Sequence, residues 1–169
     1  MRNIFKILSI TIGIILSIMI CLYIIGGFVL NKPLISEREI ILNNNIKDVW
    51  NVVVNNNDYK WRTGIKKIEL LKNNEWLEYY DENRTNFTKF LIIEKKEFSL
   101  YSFKMENKNF NGKWTGEFIE INETKTKCIF TETIYIKNPV MRILAKLFWD
   151  LGKIQEQYFK DLKNKLEND

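Results

Sequence analysis

The sequence predicts an α+β domain, a curved antiparallel sheet of seven strands around a long C-terminal helix, preceded by one transmembrane helix. Three observations predict this architecture. A run of 24 residues without a charged side chain lies close to the N-terminus. The middle of the chain alternates apolar and polar residues between Asn-rich turns, as antiparallel strands do. The end of the chain repeats apolar residues with the period of a helix, and such a stripe is buried when it packs on one face of a sheet.

The first 32 residues are predicted to be a single-pass membrane anchor. The uncharged run, Ile7 to Leu30, exceeds the roughly 20 apolar residues that cross the hydrocarbon core of a bilayer. A cleaved secretory signal has an apolar region of only about 7 to 15 residues and ends in small residues. Bulky Ile20 before Cys21 also departs from a lipoprotein signal. The count of basic residues does not decide the orientation, because Arg2 and Lys6 precede the span and Lys32, Arg38 and Lys47 follow it. A short basic N-terminal region usually stays in the cytoplasm, so we expect residues 33–169 to be extracytoplasmic.

The composition excludes several classes of function. The chain has no His and two Cys, which excludes Ser-His-Asp and Cys-His nucleophile systems and His- or Cys-rich metal sites. Three of the 26 basic residues and none of the 21 acidic ones lie in residues 1–32, so the remainder carries a net charge of only +2. That charge is too small for a nucleic-acid footprint. Four glycines after residue 32 form no dinucleotide or phosphate loop. We therefore expect no cofactor, no metal ion and no nucleic-acid partner.

The secondary structure follows from periodicity and turn residues. We predict a first strand from Leu34 to Leu42 and a helix from Ile46 to Val54 that is capped by Asn45. A turn or short helix follows at residues 58–64. Six further β segments are predicted at residues 65–71, 75–80, 86–93, 98–105, 110–121 and 127–136. After Pro139, the apolar stripe from Val140 to Leu166 predicts one continuous helix, in which Gly152 either allows a bend over a cavity or is simply tolerated.

This order of elements resembles the helix-grip fold of the START-like superfamily, also called SRPBCC. The superfamily includes START lipid-transfer domains, the birch pollen allergen family and polyketide cyclase or dehydrase-like proteins. The resemblance spans about residues 34–167 and includes Val49-Trp50 on the first helix, Tyr59 and Trp61 in the next turn, and two final strands that lead into the Pro139 helix. It implies an apolar cavity between the sheet and the long helix that takes lipids, steroids, polyketides or other hydrophobic ligands. Some members are enzymes, so the fold alone does not decide between binding and catalysis.

Aromatic side chains are the candidates for the wall of such a cavity. After residue 32 the chain contains 20 of its 23 Phe, Tyr and Trp residues, and each of them either fills the core or lines the cavity. Strand alternation places Phe110, Gly112, Trp114, Gly116 and Phe118 on one face, and Cys128, Phe130, Glu132, Ile134 and Ile136 on one face of the next strand. The predicted ligand-binding residues are Trp61, Tyr101, Phe103, Trp114, Phe118, Phe130, Glu132 and Trp149.

Glu132 is the polar member of its face, and two arrangements are open. If that face points inward, the carboxyl group lies among apolar neighbours, burial raises its pKa, and it becomes a polar anchor or an acid. In the other arrangement Ile129 and Tyr135 point inward and Glu132 is solvated. Because unpaired buried carboxylates are rare, the second arrangement is the favoured one.

Three functions are compatible with these features. The favoured one is the binding of a lipid or another hydrophobic small molecule without catalysis, close to the bilayer because the linker Asn31–Pro33 spans only about 10 Å. The second is a cyclase- or dehydrase-like enzyme in which Glu132 or Tyr101 supplies an acid or a base. The third is a regulatory domain that binds a protein partner, which the sequence does not identify, through an exposed sheet or helix face.

Overall fold

The computed structural model describes residues 2–168, which form two compact units. One unit contains residues 2–33 and 136–149, and the other contains residues 34–135 and 150–168. The second unit consists of the sheet, one short helix and the C-terminal helix. The first unit consists of the N-terminal helix and a second short helix.

The sheet of the second unit has seven antiparallel strands. They are β1 (Leu34–Leu42), β2 (Lys67–Leu70), β3 (Glu75–Tyr79), β4 (Phe87–Lys96), β5 (Leu100–Glu106), β6 (Phe110–Asn122) and β7 (Lys125–Ile136). Their order in the sheet is β1-β7-β6-β5-β4-β3-β2, so β2 to β7 form a meander and β1 pairs with the last strand. The predicted α+β fold with a curved seven-stranded sheet and a C-terminal helix is confirmed. Residues 58–64 form turns rather than a short helix.

The helix α2 (Ile46–Val54) begins where the sequence predicts. The Asn45 side chain accepts a hydrogen bond of 3.0 Å from the backbone N–H of Asp48, which supplies a partner for one of the free N–H groups at the helix start. Trp50 on its buried face contacts the ring of Phe118 at a centroid distance of 5.1 Å. The helix therefore packs on the same sheet face as the predicted inward residues of β6.

The inward faces of β6 and β7 carry the residue sets that strand alternation predicted, which include Trp114 on β6 and Phe130 on β7. Cys128, Phe130 and Ile134 are at most 1% exposed, whereas Tyr135 is 56% exposed. The favoured arrangement, with Tyr135 inward and Glu132 solvated, is therefore wrong. Glu132 shares the inward face because the apolar residues on both sides of it in the alternation stabilise that face by burial.

The C-terminal stripe does not form one continuous helix. It is divided into α3 (Pro139–Phe148), in the first unit, and α4 (Leu151–Asn168), in the second. Trp149 has an extended backbone conformation, and the Asp150 side chain accepts a hydrogen bond from the N–H of Lys153 at 3.2 Å. An Asp in this position begins a new helix, so a local cap overrides the longer periodicity.

Gly152 therefore lies in the first turn of α4 and not in a helix interior. A Cβ atom at this position would lie 2.5 Å from Nη2 of Arg38 on β1. The Arg38 side chain is 47% exposed and can move aside, so the structure agrees with a glycine that is simply tolerated and not with one that bends a helix over a cavity.

The first unit contains the N-terminal helix α1 (Arg2–Ile24), which continues as a π-helical turn over Ile25–Val29. Residues Asn3–Phe28 are long and apolar enough, by length and composition, to cross a membrane. The side chain of Arg142 on α3 donates hydrogen bonds to the carbonyl oxygens of Gly26 at 3.0 Å and Ile136 at 2.9 Å. The helix α3 is thus attached to the C-terminal end of α1.

Gly116 on β6 leaves space for the aromatic rings above the sheet. A Cβ atom at Gly116 would lie within 3.1 Å of the Phe130 ring and in steric conflict with the Trp114 ring. Gly116 therefore allows Trp114 to lie over the strand and contact Phe130, with 4.7 Å between ring centroids.

We expect Gly116→Ala to lower the free energy of unfolding by about 1 to 3 kcal/mol, because the added methyl group displaces the Trp114 ring. Denaturant unfolding of the purified protein, with near-UV circular dichroism, measures this change. Glu117→Ala, at the exposed neighbouring position of the strand, is the matched control. Equal stability of the two variants would contradict this packing.

Candidate functional site

A cavity of about 480 Å³ lies within the second unit, between the sheet and α4. Inward side chains of β3 to β7 form one wall, and residues 62–65 and α4 form the other. Small-molecule sites in proteins commonly measure about 300 to 1,000 Å³. The cavity is therefore large enough for a small organic ligand or part of a lipid.

Most of the wall on the sheet side is aromatic. The rings of Phe103 and Trp114 stack at a centroid distance of 5.0 Å, and Phe103 also contacts Trp76 edge-on at 5.2 Å. Trp114 in turn packs against Phe130. Because each ring is held by its neighbours, these aromatic residues form a continuous apolar surface across several strands.

The structure brings five of the eight predicted site residues together on the cavity wall. These are Tyr101, Phe103, Trp114, Phe130 and Glu132. The other three lie outside it. Trp61 packs its ring edge-on against Tyr158, with a centroid distance of 5.3 Å, and Phe118, which is 4% exposed, fills the core beside Trp50. Trp149 belongs to the first unit, because the helix break removes it from α4.

A buried ion pair crosses one part of the cavity wall. The Arg62 guanidinium donates two hydrogen bonds to the Glu78 carboxylate, at 2.7 and 3.0 Å. Trp76 Nε1 donates a third, at 3.1 Å, and the Glu78 side chain is only 3% exposed. The Arg62 Nε–H is buried without a partner among the described residues. Burial alone would lower the pKa of Arg62, but the Glu78 carboxylate raises it above its ordinary value, so Arg62 remains positively charged.

The turn that carries Arg62 is attached to α4 as well as to the sheet. The Asp161 carboxylate accepts hydrogen bonds from the backbone N–H of Thr63 at 2.7 Å and from its hydroxyl at 3.1 Å. Gln157, one turn earlier on α4, donates to the same carboxylate at 2.8 Å. Asp161 therefore holds the turn so that Arg62 reaches Glu78.

Glu132 contributes a second carboxyl group to the cavity, and it differs from Glu78 because it is unpaired. Within residues 2–168 the structure shows no hydrogen bond or ion pair to Glu132, which is half-buried. Burial, and then the nearby negative charge of Glu78, raises the pKa of Glu132 to about 7. At neutral pH the group therefore exchanges a proton readily and either donates or accepts a hydrogen bond.

Three tyrosines complete the polar part of the wall. Burial raises the pKa values of Tyr80 and Tyr158 above the ordinary range for tyrosine, and it raises the pKa of Tyr101 to about 12. All three hydroxyl groups are consequently protonated at neutral pH. They are suited to hydrogen bonding with a ligand, and Tyr101 is unsuited to act as a base.

The sequence reasoning missed Arg62, Glu78, Tyr80 and Tyr158 as site residues. A signal existed for two of them, because Trp76, Glu78 and Tyr80 alternate on one face of β3 and its end, and that face also contains apolar residues. No comparable signal identifies Arg62, whose partner depends on how the turn folds back onto the sheet.

The part of the chain that the structure describes contains no group of three or more His, Cys, Asp or Glu side chains placed to hold a metal ion. The two cysteines are free, with Cys21 exposed on α1 and Cys128 buried in β7. The charged side chains that line the cavity are Arg62, Glu78, Glu132, Lys153 and Asp161, and three tyrosines lie beside them.

Several solved structures share this fold. A conserved protein from Geobacillus kaustophilus matches with a TM-score of 0.65 and 15% identity, over 80% of this chain and 96% of that one. A START superfamily protein from Mycobacterium smegmatis matches with a TM-score of 0.64 and 11% identity, over 79% and 97%. Norcoclaurine synthase from Thalictrum flavum, in complex with dopamine and hydroxybenzaldehyde, matches with a TM-score of 0.63 and 10% identity, over 83% and 90%.

No family model and no curated protein matches the sequence. The TM-scores of 0.63 to 0.65 establish the fold, whereas identities of only 10 to 15% leave the activity open. The expected START-like helix-grip fold is thus confirmed. Its neighbours include a protein that is an enzyme by name, so the fold is compatible with both binding and catalysis.

We expect the stability of the protein to fall as pH rises from about 4.5 to about 7 through Glu132. In this window the folded chain holds a proton at Glu132 that the unfolded chain, with a pKa near 4.5, has released. Glu132→Gln removes the cost of ionising a buried carboxyl group. The free energy of unfolding of the variant should therefore fall less between pH 5 and pH 8 than that of the wild type, by on the order of 2 kcal/mol. Denaturant unfolding at several pH values, with the exposed Glu120→Gln variant as control, measures the effect. If both variants keep the pH dependence of the parent protein, Glu132 is solvated.

Proposed function

We propose that the chain is a membrane-anchored binding protein that holds a lipid or another hydrophobic small molecule in its cavity without transforming it. Residues 1–32 are the anchor in this proposal, and residues 33–169, on the extracytoplasmic side, form the binding domain. The observation that supports binding most directly is the cavity of about 480 Å³ with a continuous aromatic wall. Binding is favourable when an apolar ligand replaces water along an apolar surface of this extent.

The polar groups of the wall limit the chemistry of the ligand. Glu132 offers an unpaired carboxyl group, and the Tyr101 and Tyr158 hydroxyls remain protonated. An unpaired polar group in an apolar site costs free energy until a partner is supplied. We therefore expect an amphipathic ligand whose apolar body lies along Phe103 and Trp114 and whose polar group bonds to Glu132.

The anchor is supported by the length and exposure of α1. Its apolar side chains, such as Ile4 and Ile10, are 70% and 63% exposed. An isolated apolar helix of this length exposes far more apolar surface than soluble domains tolerate. A bilayer would bury that surface along the whole helix.

The full-length protein, purified from membranes in detergent, should carry one apolar molecule per chain in native mass spectrometry. Trp114→Arg should lose it, because the guanidinium places an unpaired charge in the aromatic wall. Ile119→Arg is the matched control, since Ile119 is 44% exposed on the outer face of the same strand. The protein should also remain in the membrane pellet after an alkaline carbonate wash.

Two results would count against this proposal. A folded wild-type protein without any adduct, even after incubation with membrane lipids, would show that the cavity is not a ligand site and would redirect the search to protein partners. Release of the chain by carbonate would contradict the anchor alone.

The second candidate function is catalysis, and the unpaired Glu132 carboxyl group favours it. A general acid or base works best when its pKa lies close to the operating pH, and the pKa of Glu132 is about 7. In this version Glu132 transfers a proton to or from the bound molecule, and the tyrosine hydroxyls orient it. The tyrosines are less suited to this role, because burial raises their pKa values far above neutral pH.

The two functions make different predictions for Glu132→Gln, which keeps the shape of the side chain and removes its titration. For a binding protein, the variant and the wild type should co-purify with the same molecule, identified by chromatography and mass spectrometry. For an enzyme, the variant should accumulate a precursor that the wild type converts. A precursor of the wild-type molecule in the variant, with an unchanged molecule in Glu120→Gln, would reject the non-catalytic proposal.

A further inference from the structure

The helix α3 (Pro139–Phe148) carries an exposed apolar face. Met141, Leu144, Leu147 and Phe148 are 44%, 43%, 68% and 80% exposed. These positions lie on one continuous side of the helix, because residues three and four apart are neighbours on a helix surface. Ala145 is buried and Lys146 is exposed on the remaining sides. A face of this kind is unusual on a protein surface that meets only water.

The start of α3 is attached to the end of the apolar span. Gly26 packs so closely against the Pro139 carbonyl group that a Cβ atom would overlap with it, and Arg142 donates to the Gly26 carbonyl oxygen at 3.0 Å. Gly26 lies four residues before the uncharged run ends at Leu30, in the π-helical turn that ends the span. If α1 spans a bilayer, α3 begins where the hydrocarbon meets the headgroups.

The two units of the fold differ in net charge. The segments 1–33 and 136–149 contain six basic residues and no acidic residue. The rest of the chain contains 20 basic and 21 acidic residues, so the entire positive net charge belongs to the unit of the anchor and α3. Four of the six, Lys32, Lys137, Arg142 and Lys146, lie at the end of the span to which α3 is attached, where basic residues are attracted to anionic headgroups.

We propose that α3 is an interfacial membrane helix, which inserts Leu144, Leu147 and Phe148 into the surface of an anionic phospholipid bilayer beside the anchor. Amphipathic helices of this type place their apolar face about 5 to 10 Å into the boundary between headgroups and acyl chains. The proposal rests on the proposed membrane anchor, and it adds a second contact with the same membrane.

Fluorescent labels on single cysteines in the full-length protein test this helix directly. The background is Cys21→Ser, and Cys128 is retained because it is completely buried and therefore does not react. An environment-sensitive nitrobenzoxadiazole label is attached to Leu144→Cys, Phe148→Cys and the matched control Lys146→Cys on the same helix. Ile15→Cys reports on the anchor and Glu120→Cys reports on water. The protein is reconstituted in vesicles of phosphatidylcholine and phosphatidylglycerol.

At positions 144 and 148 we expect blue-shifted emission, quenching by lipids with brominated acyl chains and loss of quenching by aqueous iodide. Position 146 should keep its quenching by iodide, as position 120 does. If positions 144 and 148 are quenched by iodide while position 15 is quenched by brominated lipid, the anchor stands and the interfacial helix is wrong. Protection from both quenchers would mean that protein covers the face, which also overturns the proposal. Failure of brominated lipid to quench position 15 would reject the anchor itself.

Discussion

The ion pair between Arg62 and Glu78 is the interaction on which the cavity depends. It joins the turn after α2 to the third strand, and the same turn is held to α4 by Asp161. A buried ion pair is costly to form, but the removal of one partner is costlier, because it leaves the other charge buried alone. The bidentate geometry and the third hydrogen bond from Trp76 stabilise the Glu78 carboxylate of the pair. The turn is thereby tied both to the sheet and to α4.

The same pair determines the electrostatics experienced by a ligand. Glu78 is hydrogen-bonded to Arg62 at close range, whereas Glu132 has no ion pair among residues 2–168, and burial followed by the negative charge of Glu78 raises its pKa. Two carboxyl groups in one cavity thus have different roles: Glu78 is held in the wall by Arg62 and Trp76, and Glu132 is left to contact a ligand. Environments that separate two carboxyl groups in this way are common in binding sites and in active sites. For this reason the electrostatics support a polar contact at Glu132 without deciding whether that contact is catalytic.

Local patterns in the sequence predicted most of the fold. β1 and α2 begin and end where alternation, helical spacing and the Asn45 cap place them, because the determinants of these elements lie within a few residues. Alternation also identified the faces of β6 and β7 correctly, and only the general rarity of buried carboxylates favoured the wrong orientation for Glu132. Arg62 was not predictable in the same way, since its position depends on Glu78 and Asp161, 16 and 99 residues further along the chain. Long-range pairs of this kind leave no periodic signal.

The C-terminal stripe shows a different limit of sequence reasoning. Periodicity identifies an apolar face but does not identify what covers it, because a protein core and a bilayer select the same side chains. Asp150 divides the stripe, and the two parts then differ in charge: α4 contains four lysines and three acidic residues, whereas residues 136–149 contain three basic residues and no acid. A helix that packs on its own domain gains nothing from a charge bias of one sign, while a helix beside anionic headgroups does. The charge pattern, read together with the break at Asp150, distinguishes the two environments that hydrophobicity alone does not.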